Sequence, residues 1–585
     1  MGRRLLVAVL LCVLLGACGS DETRVVQDLT TTRRGFTDGR PVTVAVEGND
    51  VERRLTAPAP GALDVTVRTP DAAALRYSLP PDLPPAAVTL GVAREATVTP
   101  LTPVQDPDGV WRAPLPDGDG RITDLQLATS TNRPLSLIAP RIEGRAHTTP
   151  PILPPEARRP GRPPNVILYV VDTLRAGRLS LYGYERPTTP TLERLAERGI
   201  VFDRAYAAGS FTTPSVTSLL SSRYPEELLG TLDRDGPARE TLAEAFQAAG
   251  YETAGFQANV LCTPALGYDR GFDHYQLLGE ATLDGLEKAS AEQLHAAALG
   301  WVRQHLDQPF FLYLQSMDVH FPYIPPSPFR DLFPTAPDAK VLETILAQLR
   351  KTLDEEQIRV FFDRMGNMNP DRYDGAIAYA DHEIGVLFEA LARLGLADHT
   401  IVVVTADHGE PLGDRGEMLH GRSLWEELVR VPLVMWIPGV DGGERIDEVV
   451  SHLDLSATLL DLAGIAPPKS FVGRSWLAPG TTLRPPGAVG ELLLPPSHRA
   501  IAWYAREGPW KLVLDDKGPQ LFHLPTDPGE TQDVSAANPE VTRYLVGRAT
   551  ARPLSASTTK PPGAGLSDED RKQREEALRA LGYVH

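Results

Sequence analysis

Four stretches of this 585-residue chain carry residues whose types and positions could do chemistry. Asp172 ends the apolar run Val166–Val171, Asp318 and His320 follow Phe310–Leu314, and Asp407 and His408 follow Ile401–Val404. The fourth stretch is Thr212-Thr213-Pro214-Ser215. It leads into Val216-Thr217-Ser218-Leu219-Leu220, which reads as the first turns of a helix with Pro214 near its first position. A lone Asp or His at a strand end is more often a cap or turn residue than a ligand, and Thr212 alone reads as an N-cap. Three strand ends agreeing is harder to dismiss, because ligands of open α/β sheets bind where the carboxyl ends of strands converge. A hydroxyl held at a helix N-terminus adds exposed N–H groups and a dipole that favour an anion such as phosphate or sulfate.

The elements that must position these residues are legible in the hydrophobic pattern. Val166–Val171 is a continuous, β-branched-rich run, as expected of a strand buried on both faces, and Phe310–Leu314 and Ile401–Val404 read alike. Leu192, Leu195 and Ala196 fall at helical spacing behind Thr189 as N-cap and Pro190, with Gly199 closing. Residues 374–394 read as an amphipathic helix stopped by Gly395. Strands alternating with helices predict an α/β domain over 165–497, with a central, mostly parallel sheet and helices on both faces. Ahead of it, residues 25–147 alternate with period two between Pro, Asp and Gly turns (Leu75, Tyr77, Leu79; Val88, Leu90, Val92; Leu125, Leu127; Leu135, Leu137), which predicts an all-β sandwich. It contains no catalytic constellation. The proline-rich stretch 148–164 reads as a stiff linker. The last section, 498–585, returns to short alternating strands, including Trp510–Leu514, as a small antiparallel β subdomain. It ends in a predicted helix over 567–581, with Ser567 and Asp570 as capping box and Gly582 as stop.

Composition narrows the partners. A net charge of −18 argues against nucleic acid, which needs a basic face. Arg3 and Arg4, the apolar run Leu5–Leu15 and the small pair Gly16-Ala17 form a secretory signal over residues 1–17. Leu15-Gly16-Ala17-Cys18 is similar to a bacterial lipobox, so Cys18 is expected to be lipidated and to anchor an exported protein to the cell envelope, on its periplasmic or outer-membrane face. With Cys12 leaving in the signal and Cys18 acylated, Cys262 is alone, which excludes an intramolecular disulfide and a zinc–thiolate site. Oligomeric state has no signature in the sequence. Tyr182, Trp425 and Trp436 read as packing residues and Glu426 with Arg430 as an i, i+4 ion pair, while Asn259 and Cys262 fall in a loop-like stretch that could line the cleft, though nothing in the spacing says so.

Further motifs occur in order: Asn165–Ala176 with Asp172 inside it, Leu181-Tyr182-Gly183, Thr212–Ser215, Tyr373-Asp374-Gly375, Thr405–Glu410, His420-Gly421, Arg430–Leu433, Trp510-Lys511-Leu512 and Leu521–Thr531. This ordered series, over roughly 163–535, resembles the sulfatase family of the alkaline phosphatase superfamily. The resemblance implies that Asp172, Asp407 and His408 hold a divalent metal ion, with Thr212 beside it as nucleophile and as a further metal-contacting residue, its oxygen in the ion's inner sphere. Carboxylate and imidazole ligands suit Mn²⁺, Zn²⁺, Mg²⁺ or Ca²⁺. His320 and His420 fall where the family places substrate-binding or leaving-group residues, and in two-metal branches of the superfamily a His-Gly like His420-Gly421 supplies a ligand instead. The expected substrate is a small-molecule or glycan- or lipid-derived ester.

The sequence departs from the family where the chemistry is done. Sulfatases carry Cys or Ser before x-Pro-x-Arg and convert it to formylglycine; here Thr212 stands at that position and Val216 replaces the arginine. Thr173 replaces the second aspartate of the usual pair, and an Arg-Ala-Asp-His stretch has become Arg175-Ala176-Gly177-Arg178. A hydrated formylglycine expels sulfate by breaking its own C–O bond, whereas a threonine ester must be attacked again at sulfur or phosphorus. The expectation is therefore a metal-dependent ester hydrolase that favours phosphorus over sulfur. A phosphoglycerol- or phosphoethanolamine-type transferase and a catalytically degenerate binding lipoprotein are the alternatives.

Overall fold

A computed structural model describes the chain from Arg24 to Thr550, together with Lys572. Not described are short stretches among residues 29–162 and the segments 229–239, 283–284, 334–346, 348–349, 351–368, 482–485 and 495–498. The signal, the lipobox and nearly all of the predicted terminal helix lie outside the described residues. The chain divides into two compact units, one of residues 1–149, 481–485 and 538–554, the other of 150–480, 486–537 and 555–585.

The first unit holds a seven-stranded and a six-stranded sheet, and every strand pair within them is antiparallel. Its core holds residues the alternation marks, Leu75, Tyr77 and Leu137 from one sheet meeting Leu90, Val92, Leu125 and Leu127 from the other, and adds Ile142 to the first. This is the expected sandwich, in which alternate residues of each strand point into the shared interior. The chain returns to this unit at its far end, where the helix Pro539–Thr550 lies along the strands Arg34–Thr37, Ala62–Thr69 and Arg121–Thr129.

The second unit is built on a nine-stranded mixed sheet. Five neighbouring strands run parallel, in the order His274–Leu277, Glu252–Gln257, Phe310–Ser316, Asn165–Val171 and Thr400–Thr405. The antiparallel strand Leu433–Trp436 follows, then Ile200–Tyr206, which also pairs with Arg430–Val431 and Glu444–Ser451. The three predicted strands are each a residue or two longer than the apolar run that revealed them, and all their side chains are buried. Helix Pro370–Arg393 starts ahead of the predicted 374 because Asn369 caps it, its Oδ1 accepting from the Asp371 N–H at 2.9 Å, with Pro370 in the first turn. Gly395, at φ +71°, closes it as expected. Helix Pro190–Ala196 is present, but the Thr189 hydroxyl does not cap it; Asp381 accepts from the N–H groups of Thr191 and Leu192, both at 2.8 Å.

A four-stranded antiparallel sheet, Gly487–Leu494, Arg499–Glu507, Trp510–Asp515 and Gly518–His523, completes the unit and starts before residue 498. Its first strand opens on small residues because it runs close to the backbone at Ala208; a Cβ at Gly490 would meet the Ala208 carbonyl at 2.6 Å. Tyr504 donates to the Ala207 carbonyl at 2.6 Å, and Lys511, fully buried, lies 3.1 Å from Glu426 and 2.8 Å from Glu530. Glu426 therefore pairs with Lys511 rather than with Arg430, whose guanidinium donates to the Asp203 carbonyl at 2.9 and 3.1 Å. Helix Glu426–Val429 ends before Arg430, so no helical i, i+4 geometry exists there.

Candidate active site

Sheet register brings the polar residues to one edge. Val170 pairs with both Gln315 and Thr405, and Gln257 pairs with Gln315, so four adjacent parallel strands finish nearly level. Asp172, Asp407 and Asn259 stand just past three of those ends, and Gln315 lies one residue inside the fourth. The Asp172 N–H donates to the Ser316 carbonyl at 2.9 Å, which continues the ladder to the aspartate itself. Thr173 then turns through φ +59°, a left-handed conformation that costs a β-branched residue about 1–3 kcal/mol. The turn aims its N–H at Asp407 Oδ1, 3.1 Å away, while Tyr373 holds it by donating to the Thr173 carbonyl at 2.7 Å. Where the family pattern has a second carboxylate, this chain supplies a backbone donor.

Thr212 comes from a different element. Its helix, Thr212–Ser221, is buried throughout, and the N-cap is the extended Phe211, so Thr212 occupies the first helical position rather than capping it. Its Oγ1 lies 3.5 Å from Asp172 Oδ2. Two primary amides complete this side of the site. Asn259 Nδ2 donates to Asp172 Oδ2 at 2.7 Å and approaches Thr212 Oγ1 at 3.2 Å; Gln315 Nε2 donates to Asp172 Oδ2 at 2.9 Å. Neither amide is free to flip, since Asn259 Oδ1 accepts from the Leu261 N–H at 2.9 Å. Gln315 Oε1 accepts from Gln257 at 2.9 Å and from Tyr313 at 2.6 Å.

Three imidazoles line the other side. The ring centroids of His408 and His420 are 4.4 Å apart and those of His320 and His420 are 5.1 Å apart. Each Nδ1 faces an oxygen: Gly409 carbonyl for His408 at 2.9 Å, Phe321 carbonyl for His320 at 2.6 Å, and Glu410 for His420 at 3.0 Å. A carbonyl can only accept, so His320 and His408 carry their proton on Nδ1 and turn the Nε2 lone pair into the site. Burial pushes His408 and His420 down to about 4 and His320 well below its ordinary value. Glu410, fully buried, accepts from both the N–H and the ring of His420 and is pushed up to about 8, chiefly by burial. Lys288, driven down to about 7 by burial, donates to the carbonyls of His320 and Pro322 and so holds the His320 loop.

The donor set fits a divalent cation. Asp172, Asp407 and His408 each offer a ligand atom within 4.8 Å of the others, and all three are fully buried. His408 Nε2 lies 3.8 Å from Asp172 Oδ1 and 3.5 Å from Asp407 Oδ2, and neither Asp172 Oδ1 nor His408 Nε2 has a hydrogen-bond partner among the described residues. A lone pair facing two carboxylates in a dry site is repulsive unless positive charge stands between them. Burial pushes both aspartates up to about 7, and the Asp407 carboxylate raises Asp172 further. Such a pair is relieved by a metal ion with carboxylate and imidazole ligands.

All six residues named from the sequence as metal or catalytic candidates meet here: Asp172, Thr212, His320, Asp407, His408 and His420. Asp318 does not. Its Oδ1 accepts from the Ala291 N–H at 3.2 Å, at the N-terminus of helix Ala291–Val302, and so it serves that helix. Sequence reasoning gave no role to Asn259, Gln315 or Glu410. The strand Glu252–Gln257 (Glu-Thr-Ala-Gly-Phe-Gln) is too mixed to show as an apolar run. The helix Leu242–Ala248 and the turn at Gly250 before it were the available signal.

Comparison with known proteins agrees with this architecture. The sulfatase family profile matches residues 164–465, more than half of the chain. Human arylsulfatase K is 26% identical over 455 residues, covering 67% of this chain and 82% of that protein. Human arylsulfatase A is also 26% identical, covering 66% of this chain and 86% of its own. Among solved structures, the phosphonate monoester hydrolase of Agrobacterium radiobacter superposes with a TM-score of 0.53 at 20% identity, over 70% of this chain and 99% of that one. The solved neighbour shares the fold, and the profile match shows a hydrolase of sulfate esters. Within that class, the chain belongs to the sulfatase family.

Proposed function

We propose that this protein is a metal-dependent hydrolase of phosphate or sulfate esters in which Thr212 is the nucleophile and phosphoester cleavage is preferred. The observation that carries the reading is the placement of Thr212 Oγ1 3.5 Å from Asp172, inside the cluster that Asp407 and His408 complete. Asp172, Asp407 and His408 would hold the ion, which when bound supplies Lewis-acid stabilisation of charge and lowers the pKa of a neighbouring hydroxyl. The helix N-terminus at Thr212 directs N–H groups at the anionic ester. Thr212 Oγ attacks sulfur or phosphorus, the bond to the leaving oxygen breaks with its electron pair, and that oxygen gains the proton Oγ gives up. His320 and His420 are the groups assigned to carry this proton, and the inward Nε2 lone pair of His320 suits it to accept before it donates. Water then attacks the threonine ester and restores the hydroxyl.

The preference for phosphorus rests on Thr212 itself. Threonine offers no gem-diol exit, so the second displacement must occur at the central atom, as in phosphodiesterase chemistry. Structural neighbours named as a phosphonate monoester hydrolase and as a 2-O GAG sulfatase support a fold open to either centre and a small-molecule or glycan-derived ester as substrate. The test uses the soluble chain from residue 19, assayed for bound metal and for turnover of p-nitrophenyl sulfate, p-nitrophenyl phosphate and bis-p-nitrophenyl phosphate. Turnover should vanish with chelator and in Thr212→Ala, and should be greatest on a phosphorus ester. Equal activity of Thr212→Ala and wild type would overturn the assignment. We also propose export and anchoring through lipidated Cys18; a full-length Cys18→Ser variant should lose palmitate labelling and leave the membrane fraction.

A further inference from the structure

We propose that Asn259 is a further catalytic residue, the carboxamide that carries the charge on Thr212 Oγ when the threonine ester breaks down. The inference rests on the assignment of Thr212 as nucleophile. Asn259 is fully buried and its amide is fixed: Oδ1 is held by the Leu261 N–H at 2.9 Å, and its own N–H donates to Gln257 Oε1 at 2.8 Å. That leaves two Nδ2 hydrogens, and two acceptors lie in reach, Asp172 Oδ2 at 2.7 Å and Thr212 Oγ1 at 3.2 Å. A donor that touches both a carboxylate and the reacting oxygen is placed to hold one in position and to bear charge on the other.

The two half-reactions need this donor unequally. In the first, Oγ forms a bond to phosphorus or sulfur and spends its negative charge. In the second, water forms a bond to the central atom and the bond to Oγ breaks with its electron pair, so charge grows on Oγ until it takes up a proton. One water is consumed over the cycle. A hydrogen bond to Oγ strengthens as charge develops, so Asn259 assists the second half-reaction in full, while in the first it is offset by lowered nucleophilicity. A formylglycine enzyme, which breaks a C–O bond instead, would have no use for such a donor at this oxygen.

The experiment compares wild type, Asn259→Ala, Asn259→Asp and Thr212→Ala on whichever of the three p-nitrophenyl esters wild type turns over. Asn259→Asp keeps an oxygen to accept from the Leu261 N–H but removes the donor, which separates catalysis from turn geometry. In both Asn259 variants kcat should fall about 10²-fold or more, with KM changed only a few-fold. The intact-mass spectrum at steady state should show the chain carrying one transferred group on residue 212. Mn²⁺ affinity by calorimetry should remain within a few-fold for Asn259→Ala. The proposal is overturned if either variant turns over within twofold of wild type, or if both lose activity without accumulating the adduct. If Thr212→Ala retains turnover, the nucleophile assignment fails instead, and that outcome is separable from the others.

Discussion

Lys511 offers a sharp test of how the antiparallel sheet supports the site. Its ammonium is fully buried between Glu426 at 3.1 Å and Glu530 at 2.8 Å, and Glu530 also accepts from the Glu426 N–H at 2.8 Å. Burial works against ionised Glu426, but Lys511, Arg506 and Arg430 together outweigh it and hold the carboxyl below its usual range. At an effective dielectric of about 20, the two contacts are worth about 5 and about 6 kcal/mol before the cost of dehydrating three charges. Removing the shared cation leaves two carboxylates facing each other, and breaking buried pairs in this way costs about 3–5 kcal/mol. At ~2 cal/mol/K of unfolding entropy per residue, a cooperative unit of several hundred residues shifts by roughly 1 °C per kcal/mol. Lys511→Met should therefore lower the transition of this unit by about 3–5 °C in scanning calorimetry. The triple variant Lys511→Met/Glu426→Gln/Glu530→Gln, which removes the stranded charges as well, should recover more than half of that loss. A shift below about 1 °C in the single variant, or a triple variant no more stable than the single, would refute the reasoning.

Two further perturbations probe the site and the core beneath it. Gly409→Ala puts a Cβ 2.1 Å from the Glu427 carbonyl, and the His408–Gly409 segment has to move; Mn²⁺ affinity by calorimetry should fall at least about fivefold with overpacking strain of about 1–3 kcal/mol, and an unchanged affinity would contradict it. His452, whose Nε2 lies 3.0 Å from the Thr405 hydroxyl, is pushed down to about 3 by burial, below its unfolded value, so the unfolded chain takes up the proton first as pH falls. Stability should be lost below pH ~6.5 at about 1.4 kcal/mol per pH unit from this group, and urea unfolding of His452→Gln between neutral and mildly acid pH should show a shallower slope; parallel curves would sink the claim.

The sheet was legible because three of its central strands are unbroken apolar runs, and a strand buried on both faces leaves little room for other residues. Their ends pointed to Asp172, Asp318, His320, Asp407 and His408 together, and the family resemblance singled out Asp172, Asp407 and His408 as metal ligands. Legibility failed where a tertiary partner replaced a local one. Thr189 looked like a cap, but Asp381 from a helix distant in sequence does the capping. Glu426 looked paired with Arg430, but the cation comes from Lys511 in the C-terminal sheet. Asp318 shared the strand-end pattern of the other aspartates, and only the position of the neighbouring helix turns it away from the site. Asn259 and Gln315 are amides, which carry no sequence signature of chemistry, and their roles depend on a register that brings Gln257, Gln315 and Val170 level.

Those amides and the threonine at 173 are best understood as one change in the balance of charge. A carboxylate at 173 would add negative charge beside Asp172 and Asp407, both already pushed up to about 7 by burial. A nucleophile that must leave as an alkoxide is hindered by each added anion, because the developing charge is repelled most strongly where water is excluded. This chain instead surrounds Asp172 Oδ2 with two N–H donors and gives Asp407 Oδ1 the N–H groups of Thr173 and His408, at 3.1 and 2.9 Å. Neutral donors satisfy the carboxylates without supplying another negative centre, and one of them also reaches Thr212 Oγ1. The left-handed turn at Thr173 presents its N–H to Asp407. Loss of the second aspartate is thus coherent with a threonine nucleophile, and it weakens the argument that its absence marks a catalytically inert chain.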